Sequence, residues 1–195
     1  IIGSAELLET GLAKPEDQPR FLSRIHQEAE RLVSLINDIL RLSQLDEGGQ
    51  LPMEPVELQS LAQETAQSLA DLAAARNVTV SVTGTAAPMT GVRRLLAEIV
   101  RNLCENGVKY NVPGGSVTVE VAETDRDVTL LVRDTGIDIP EGDQSRVFER
   151  FYRVDKSHSR AIGGTGLGLS IVKHAVAYHH GTIHLESQMG KGTVI

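Results

Sequence analysis

Leu95-Leu96-Ala97-Glu98-Ile99-Val100-Arg101-Asn102-Leu103-Cys104-Glu105-Asn106-Gly107-Val108-Lys109-Tyr110 is the stretch on which the reading of this chain turns. Leu95, Leu96, Ile99 and Leu103 recur at helical spacing and form one apolar side. Asn102, Asn106, Lys109 and Tyr110, at offsets of zero, four, seven and eight, project from the other. Asparagine is a poor helix former because its side chain competes for backbone hydrogen bonds, so two of them in mid-helix need a reason. Their carbonyl oxygens suit a hard cation such as Mg²⁺, the ammonium suits a phosphate, and Tyr110 can pack beside a base. The plain alternative is a solvated helix face.

Downstream, Ser116 to Glu123 and Asp127 to Asp134 read as a hairpin turned through Thr124-Asp125-Arg126. Its second strand ends in Asp134-Thr135-Gly136-Ile137-Asp138-Ile139-Pro140, which sets a carboxylate at a strand end, able to accept from an exocyclic amine. An irregular stretch of about thirty residues follows. It includes Arg146, Arg150, Arg153, Lys156 and Arg160, which read either as a site for an anionic small molecule or as a solvated loop. Gly163-Gly164-Thr165-Gly166-Leu167-Gly168-Leu169-Ser170 then leads into a helix running to Tyr178, where free N–H groups and the helix dipole suit phosphate. Neither the Walker pattern nor the dinucleotide fingerprint fits these glycines. Strands are expected from Thr182 and Thr193.

Upstream, Leu22, Ile25, Ala29, Leu32, Ile36, Ile39 and Ser43 draw a heptad-like seam along a helix from near Arg20 to Leu45, with Val33, Leu40 and Leu42 as a second stripe. A shorter segment with Ile1, Ala5, Leu8 and Leu12 precedes it, so the pair reads as a helical hairpin that completes a four-helix bundle by dimerising. The mismatch in length leads to the expectation that the hairpin is truncated at its N-terminus, and the stop at Gly192-Thr193-Val194-Ile195, read as a strand, to the expectation that the other end is truncated too. Residues 49–55 read as a linker, after which Leu58 to Arg76 keeps helical spacing and Val78 to Val82 alternates as a strand. Strands arriving in pairs argue for an α+β sandwich with a mixed sheet and against a doubly wound parallel one.

Composition narrows the classes. The 195 residues, 41% hydrophobic, suffice for one large or two small cores. A net charge of -7 argues against a general nucleic-acid binder, and a single cysteine, Cys104, excludes a disulfide framework. No apolar run approaches the roughly 18 residues of a membrane span, and no signal peptide is read.

The order and chemistry of these elements resemble the catalytic core of a bacterial sensor histidine kinase. Asn102 to Tyr110 is similar to the family's N box, Asp134 to Pro140 to its first glycine box, Phe148-Glu149-Arg150-Phe151-Tyr152-Arg153 to its F box, and Gly164 to Leu169 to its second glycine box. Gly190-Lys191-Gly192-Thr193 is similar to the third. The resemblance implies a dimerisation and phosphotransfer hairpin over residues 1–48 and an ATP-binding domain of the Bergerat type, a two-layer α/β sandwich, over 56–195. It makes Asn106 the main Mg²⁺ ligand with Asn102 nearby, Lys109 a phosphate contact, Tyr110 a wall of the base pocket and Asp134 the acceptor for the adenine amine. Gly136, Asp138, Ile139, Gly164, Thr165, Gly166, Leu167 and Gly168 complete the ATP contacts. Arg153 faces the phosphates, and the segment between Asp138 and Gly164 is a lid anchored by Phe148 and Phe151. The implied partners are ATP, a response-regulator receiver domain and a second copy of the chain. The implied setting is the cytoplasmic portion of a parent protein held in the membrane by upstream segments.

Three departures bear on activity. The family's ATP-hydrolysing cousins carry a Glu four residues before the metal-binding Asn, where this chain has Asn102, which cannot serve as a base. No histidine fits the phosphoacceptor pattern: His26 lies in the second helix and precedes Gln27, and His158, His174, His179, His180 and His184 fall in the ATP-binding domain. Asp138 replaces a glycine and is expected to strain the backbone and add charge near the phosphates, which supports a degenerate, non-catalytic module as the alternative. Gly107 stands in place of Ala at a cost of roughly 1 kcal/mol in helix propensity.

Overall fold

The structure is a computed structural model and describes residues 1–46, 51–124, 126–154 and 164–195. Helices α1 (Ile2–Glu9) and α2 (Gln18–Asp46) form the expected hairpin, turned at Gly11 with φ +68°. With only eight residues, α1 covers part of α2. Leu22, Leu32, Ile36 and Ile39 of the seam are exposed, as are Val33 and Leu40 of the second stripe; the Leu42 side chain lies outside the described residues. Leu35, which belongs to neither stripe, packs on Leu167 and Ile171 of the second domain.

The linker of 49–55 gives way earlier than its composition implies. Glu54–Glu57 is strand β1; Gly49 and Gln50 lie outside the described residues. A four-residue strand has no readable alternation, and this one exists because Pro88–Gly91, more than thirty positions on, runs antiparallel beside it. The helix read from Leu58 to Arg76 is broken into α3 (Leu58–Gln67) and α4 (Ala70–Ala75). At the break the Thr65 hydroxyl donates to Leu61 O at 2.7 Å and the Ser68 hydroxyl to Thr65 O at 2.6 Å, side-chain competition that the apolar spacing does not reveal.

The remaining elements are β2 (Thr79–Gly84), β3 (Pro88–Gly91), α5 (Arg93–Lys109), β4 (Ser116–Glu123), β5 (Val128–Asp134), α6 (Glu141–Gln144), α7 (Gly168–Tyr178), β6 (Glu186–Gln188) and β7 (Gly192–Val194). The main sheet has the order β2-β4-β5-β7-β6, parallel between β2 and β4 and antiparallel elsewhere, as a mixed sheet requires. The β4–β5 hairpin closes through Thr124, whose N–H donates to Asp127 O at 2.9 Å; Asp125 lies outside the described residues. The strand expected from Thr182 starts only at Glu186. Burial alternates from Ile183 onward, but β7 lies alongside only from Glu186, and a ladder needs a partner.

One face of the sheet carries Val117, Val119 and Val121, all fully buried at period two, under a helical layer of α3, α5 and α7. Leu95, Val100, Cys104 and Val108 of α5 and Val172 and Ala175 of α7 are also fully buried. Each such side chain contributes about 1.5–3 kcal/mol. Cys104 sits in this core, and burial first, then Glu105, pushes its thiol up to about 12, which removes it from redox chemistry. His179 joins α7 to α5: Nδ1 donates to Ala175 O at 2.7 Å, leaving Nε2 to accept the Val92 N–H at 3.0 Å. It is a packing histidine, as expected.

Glu57 caps α3 and fastens β1 to the segment before β3. Its carboxylate accepts from Gln59 N at 3.1 Å, Ser60 N at 2.7 Å and Ala87 N at 2.8 Å, besides the Ser60 hydroxyl. These donors, the Ser60 hydroxyl first, hold its carboxyl down to about 2 from an ordinary 4.5. A carboxylate held low stabilises the fold above its unfolded value and loses that contribution as pH falls. Glu57→Gln is therefore expected to lower the urea midpoint at neutral pH and to flatten its decline between pH 4.5 and about 2, relative to the unsubstituted chain. An unchanged acid limb would refute this role.

Candidate nucleotide site

Helix α5 presents Asn102, Asn106, Lys109 and Tyr110 on one half-buried side, and its core face holds them in place. The Asn102 amide Nδ2 donates to Glu98 O at 2.9 Å, turning its carbonyl oxygen toward α7; a Cβ on Gly168 would stand only 2.8 Å from that oxygen. The Asn106 side chain has no hydrogen-bond partner among the described residues. Lys109 Nζ pairs with Glu105 at 2.6 Å, so a phosphate would have to share or displace that carboxylate. The Tyr110 hydroxyl lies against Gly164, 3.2 Å from where a Cβ would be.

The end of α5 is sewn to the turn after β5. Tyr110 O accepts from Ile137 N at 2.9 Å, and Gly136 passes so close that a Cβ would lie 2.5 Å from the same oxygen. Asp134 sits at this junction and accepts the Gly136 N–H at 2.8 Å. Burial raises its carboxyl above the ordinary range and Asp138 adds to the rise, against the opposing N–H groups of Gly136 and Thr193. Gly107 has a steric reason: a Cβ there would meet Val117 Cγ2 at 2.9 Å and Asp134 Cβ at 3.3 Å. Its helix-propensity cost is the condition for α5 to approach the strand.

Asp138 departs from the sequence expectation. Its φ is not among the positive values, which among described non-glycine residues are those of Asn77, Phe151 and His180. Its carboxylate accepts Gly190 N at 2.6 Å and Gly192 N at 3.0 Å instead of standing free toward a phosphate. The neighbouring Ile139 donates its N–H to the Ser187 hydroxyl at 2.8 Å, and Gln144 Nε2 bridges Ile139 O and Ser187 O at 3.0 and 2.8 Å. Asp138, Ile139, Gln144, Ser187 and Met189 border a cavity of about 830 Å³. A second, of about 540 Å³, lies between α3 and α5 around Arg93, Arg94 and Arg101, away from these residues.

The second glycine segment touches both domains. Gly166, with φ +77°, accepts the Phe151 N–H at 2.9 Å, and Phe151 itself is left-handed with φ +63°. Phe151 is 57% exposed, so it does not anchor the segment by burial as expected; Phe148 is half-buried and Val147 buried. Leu167 is fully buried on Ile171 and Leu35, offering the site only its backbone. The Thr165 hydroxyl donates to Asp38 of α2 at 2.8 Å, a cross-domain contact that no local pattern encodes. Gly168 opens α7 with no side-chain cap.

Of the basic residues, Arg146 lies over the Tyr152 ring at 4.3 Å, and Tyr152 donates to Asp143. Arg150 sits by His174 at 3.4 Å. Arg153 differs: its Nε and one Nη are buried with no partner among the described residues, an arrangement costly for a cation unless an anion binds. Lys156, Arg160 and Gly163 lie outside the described residues, as does the 155–163 part of the expected lid. Among the described residues no three His, Cys, Asp or Glu side chains gather to hold a metal. The amide oxygens of Asn106 and Asn102 fit a hard cation whose other ligands come from phosphates and water.

Residues 91–195 match the model of the histidine kinase-, DNA gyrase B- and HSP90-like ATPases, and residues 1–48 that of the His Kinase A phospho-acceptor domain. The sensor-like histidine kinase SenX3 of Mycolicibacterium smegmatis is 38% identical over 98% of the chain, which spans 52% of that relative. The mycobacterial sensor histidine kinase MprB superposes with a TM-score of 0.64 at 28% identity, covering 73% of this chain and 93% of that one. Histidine kinase ThkA in complex with the response regulator TrrA matches 98% of this chain and 54% of that one, with a TM-score of 0.76 at 20% identity, a likeness of fold. With the phospho-acceptor and ATPase matches in this order, the chain belongs to the bacterial sensor histidine kinases within the histidine kinase-, gyrase B- and HSP90-like ATPase family.

Proposed function

We propose that this chain binds Mg-ATP between α5, the 134–139 turn and the second glycine segment, and that the protein containing it passes the γ-phosphoryl group to a histidine and then to a response-regulator aspartate. The observation that carries the reading is the convergence of three segments that bear a desolvated carboxylate, Asp134, an Asn106 amide unpartnered among the described residues, and two buried Arg153 guanidinium nitrogens likewise unpartnered. They stand on segments that touch through Tyr110 and Gly136, Tyr110 and Gly164, Asn102 and Gly168, and Phe151 and Gly166.

Each residue then has a physical task. Asp134 accepts the adenine amine, and Gly136 leaves room for the base beside it. Asn106 and Asn102 hold Mg²⁺, which when bound neutralises charge on the phosphates. Arg153, with Lys109, stabilises charge that spreads over the transferring group. The free N–H groups at the start of α7 add to this. Asn102 cannot draw a proton from water, so the site favours transfer over hydrolysis. Asp138 no longer favours a degenerate module, since both of its carboxylate oxygens are engaged by Gly190 and Gly192.

The exposed seam of α2 suits pairing with a second copy, and ThkA's complex with TrrA supports a receiver domain as the downstream partner. No described helix is long and apolar enough to cross a membrane; attachment of the parent protein there belongs to the proposal.

Calorimetry with Mg-ATP is expected to show binding that Asp134→Asn and Asn106→Ala each weaken by about tenfold, the worth of one charge-assisted contact. Because burial raises the Asp134 carboxyl, acidification neutralises it, and so weakens it as an acceptor, at a higher pH than for an unburied aspartate. ATP affinity should therefore fall on acidification in the chain as it stands and much less in Asp134→Asn. His26, exposed on α2 and 3.2 Å from Glu30, is the one histidine of residues 1–48. The chain should bind Mg-ATP without forming phosphohistidine, and acid-labile, base-stable phosphate on it would overturn that expectation.

A further inference from the structure

The 134–139 turn and the turn between β6 and β7 are clasped together by one side chain. Asp138 Oδ2 accepts Gly190 N at 2.6 Å and Oδ1 accepts Gly192 N at 3.0 Å. Both glycines are left-handed, with φ +75° and +79°, so their N–H groups converge on the carboxylate as in an anion nest. Gly192 in turn lies flush against β5: a Cβ there would stand 2.0 Å from Asp134 O. The next residue, Thr193, pairs with Asp134 in the ladder, so the start of β7 lies directly against the residue that bears the carboxylate. Ser187 adds a parallel stitch, accepting from Ile139 N and meeting Thr193 Oγ1 at 3.1 Å.

The geometry points to Asp138 as a positioning residue for base recognition: by clasping the Gly190–Gly192 turn it holds the start of β7 against Asp134, and so sets the place of the carboxylate that the base meets. The clasp reaches the base only through Asp134. It rests on the nucleotide reading above and adds to it the part of the nucleotide that Asp138 governs, the exocyclic amine and not the phosphates. Two effects of Asp138 oppose each other. Its negative charge disfavours the ionised Asp134, whereas its hydrogen bonds hold in place the strand that Asp134 pairs with. The two-oxygen clasp commits the inference to placement.

ITP separates these effects, because its base carries a carbonyl oxygen where adenine carries the amine. Dissociation constants for Mg-ATP and Mg-ITP would be measured by calorimetry on the chain as it stands, on Asp138→Ala and on Asp138→Asn. Amide spectra of Gly190, Gly192 and Thr193 would be recorded alongside. Asp138→Ala is expected to weaken ATP by about fivefold to tenfold with ITP unchanged, so that base discrimination collapses, and to shift the Thr193 amide resonance. Asp138→Asn, which keeps one acceptor and drops the charge, should fall between. If both variants bind ATP more tightly, or keep the ATP-to-ITP ratio, the inference is overturned and Asp138 acts by charge alone or not at all. Should Asp138→Ala fail to fold, Asp138→Asn decides by the same ratio. Absence of ATP binding in the unsubstituted chain would instead sink the nucleotide reading itself.

Discussion

The closeness of α5 to β4 is the constraint on which the rest of the site depends. Gly107 packs where any side chain would collide with Val117 and crowd Asp134, and the fully buried Val117, Val119 and Val121 provide the surface it approaches. One apolar contact thus serves two ends. It buries the core face of α5, and it brings the polar face, on the same rigid cylinder, within reach of the strand-end carboxylate. A helix seated even a side chain farther out would separate Asn106 from Asp134 and leave two half-sites.

Glycine recurs at the other close approaches for the same reason. Gly136 lies on Tyr110 O, Gly168 on the Asn102 carbonyl and Gly192 on Asp134 O, each too near for a Cβ. These contacts exchange chain entropy for contiguity, because three backbone segments that must all face one ligand cannot be held apart by side chains. A desolvated carboxylate, an amide unpartnered among the described residues and two buried guanidinium nitrogens likewise unpartnered are costly alone, and a nucleotide would engage all three.

The helical hairpin is coupled to this site more directly than a tether would be. Leu35 covers Leu167 and Ile171, and Asp38 holds the Thr165 hydroxyl within the glycine segment itself. The apolar seam of α2 remains exposed, so α2 packs on the ATP-binding domain with one side and leaves another open. A phosphate contact by Thr165, as proposed, would draw on the hydroxyl that now binds α2.

Period and spacing in the sequence alone determined the helices α2, α5 and α7, the β4–β5 hairpin and the mixed sheet, and its motifs carried the resemblance from which the proposed site residues come. Those signals are local, since the apolar stripe of a helix and the alternation of a strand lie within one segment. The tertiary structure alone decided the β1–β3 pair, the break between α3 and α4, the late start of β6, the exposure of Phe151 and the roles of Gly107, Leu167 and Asp138. Each of these depends on a partner distant in the chain or on a side-chain hydrogen bond that hydropathy does not record. Asp138 shows the difference most clearly: its position in a motif suggested strain and stray charge, whereas two N–H groups more than fifty residues away make it a clasp.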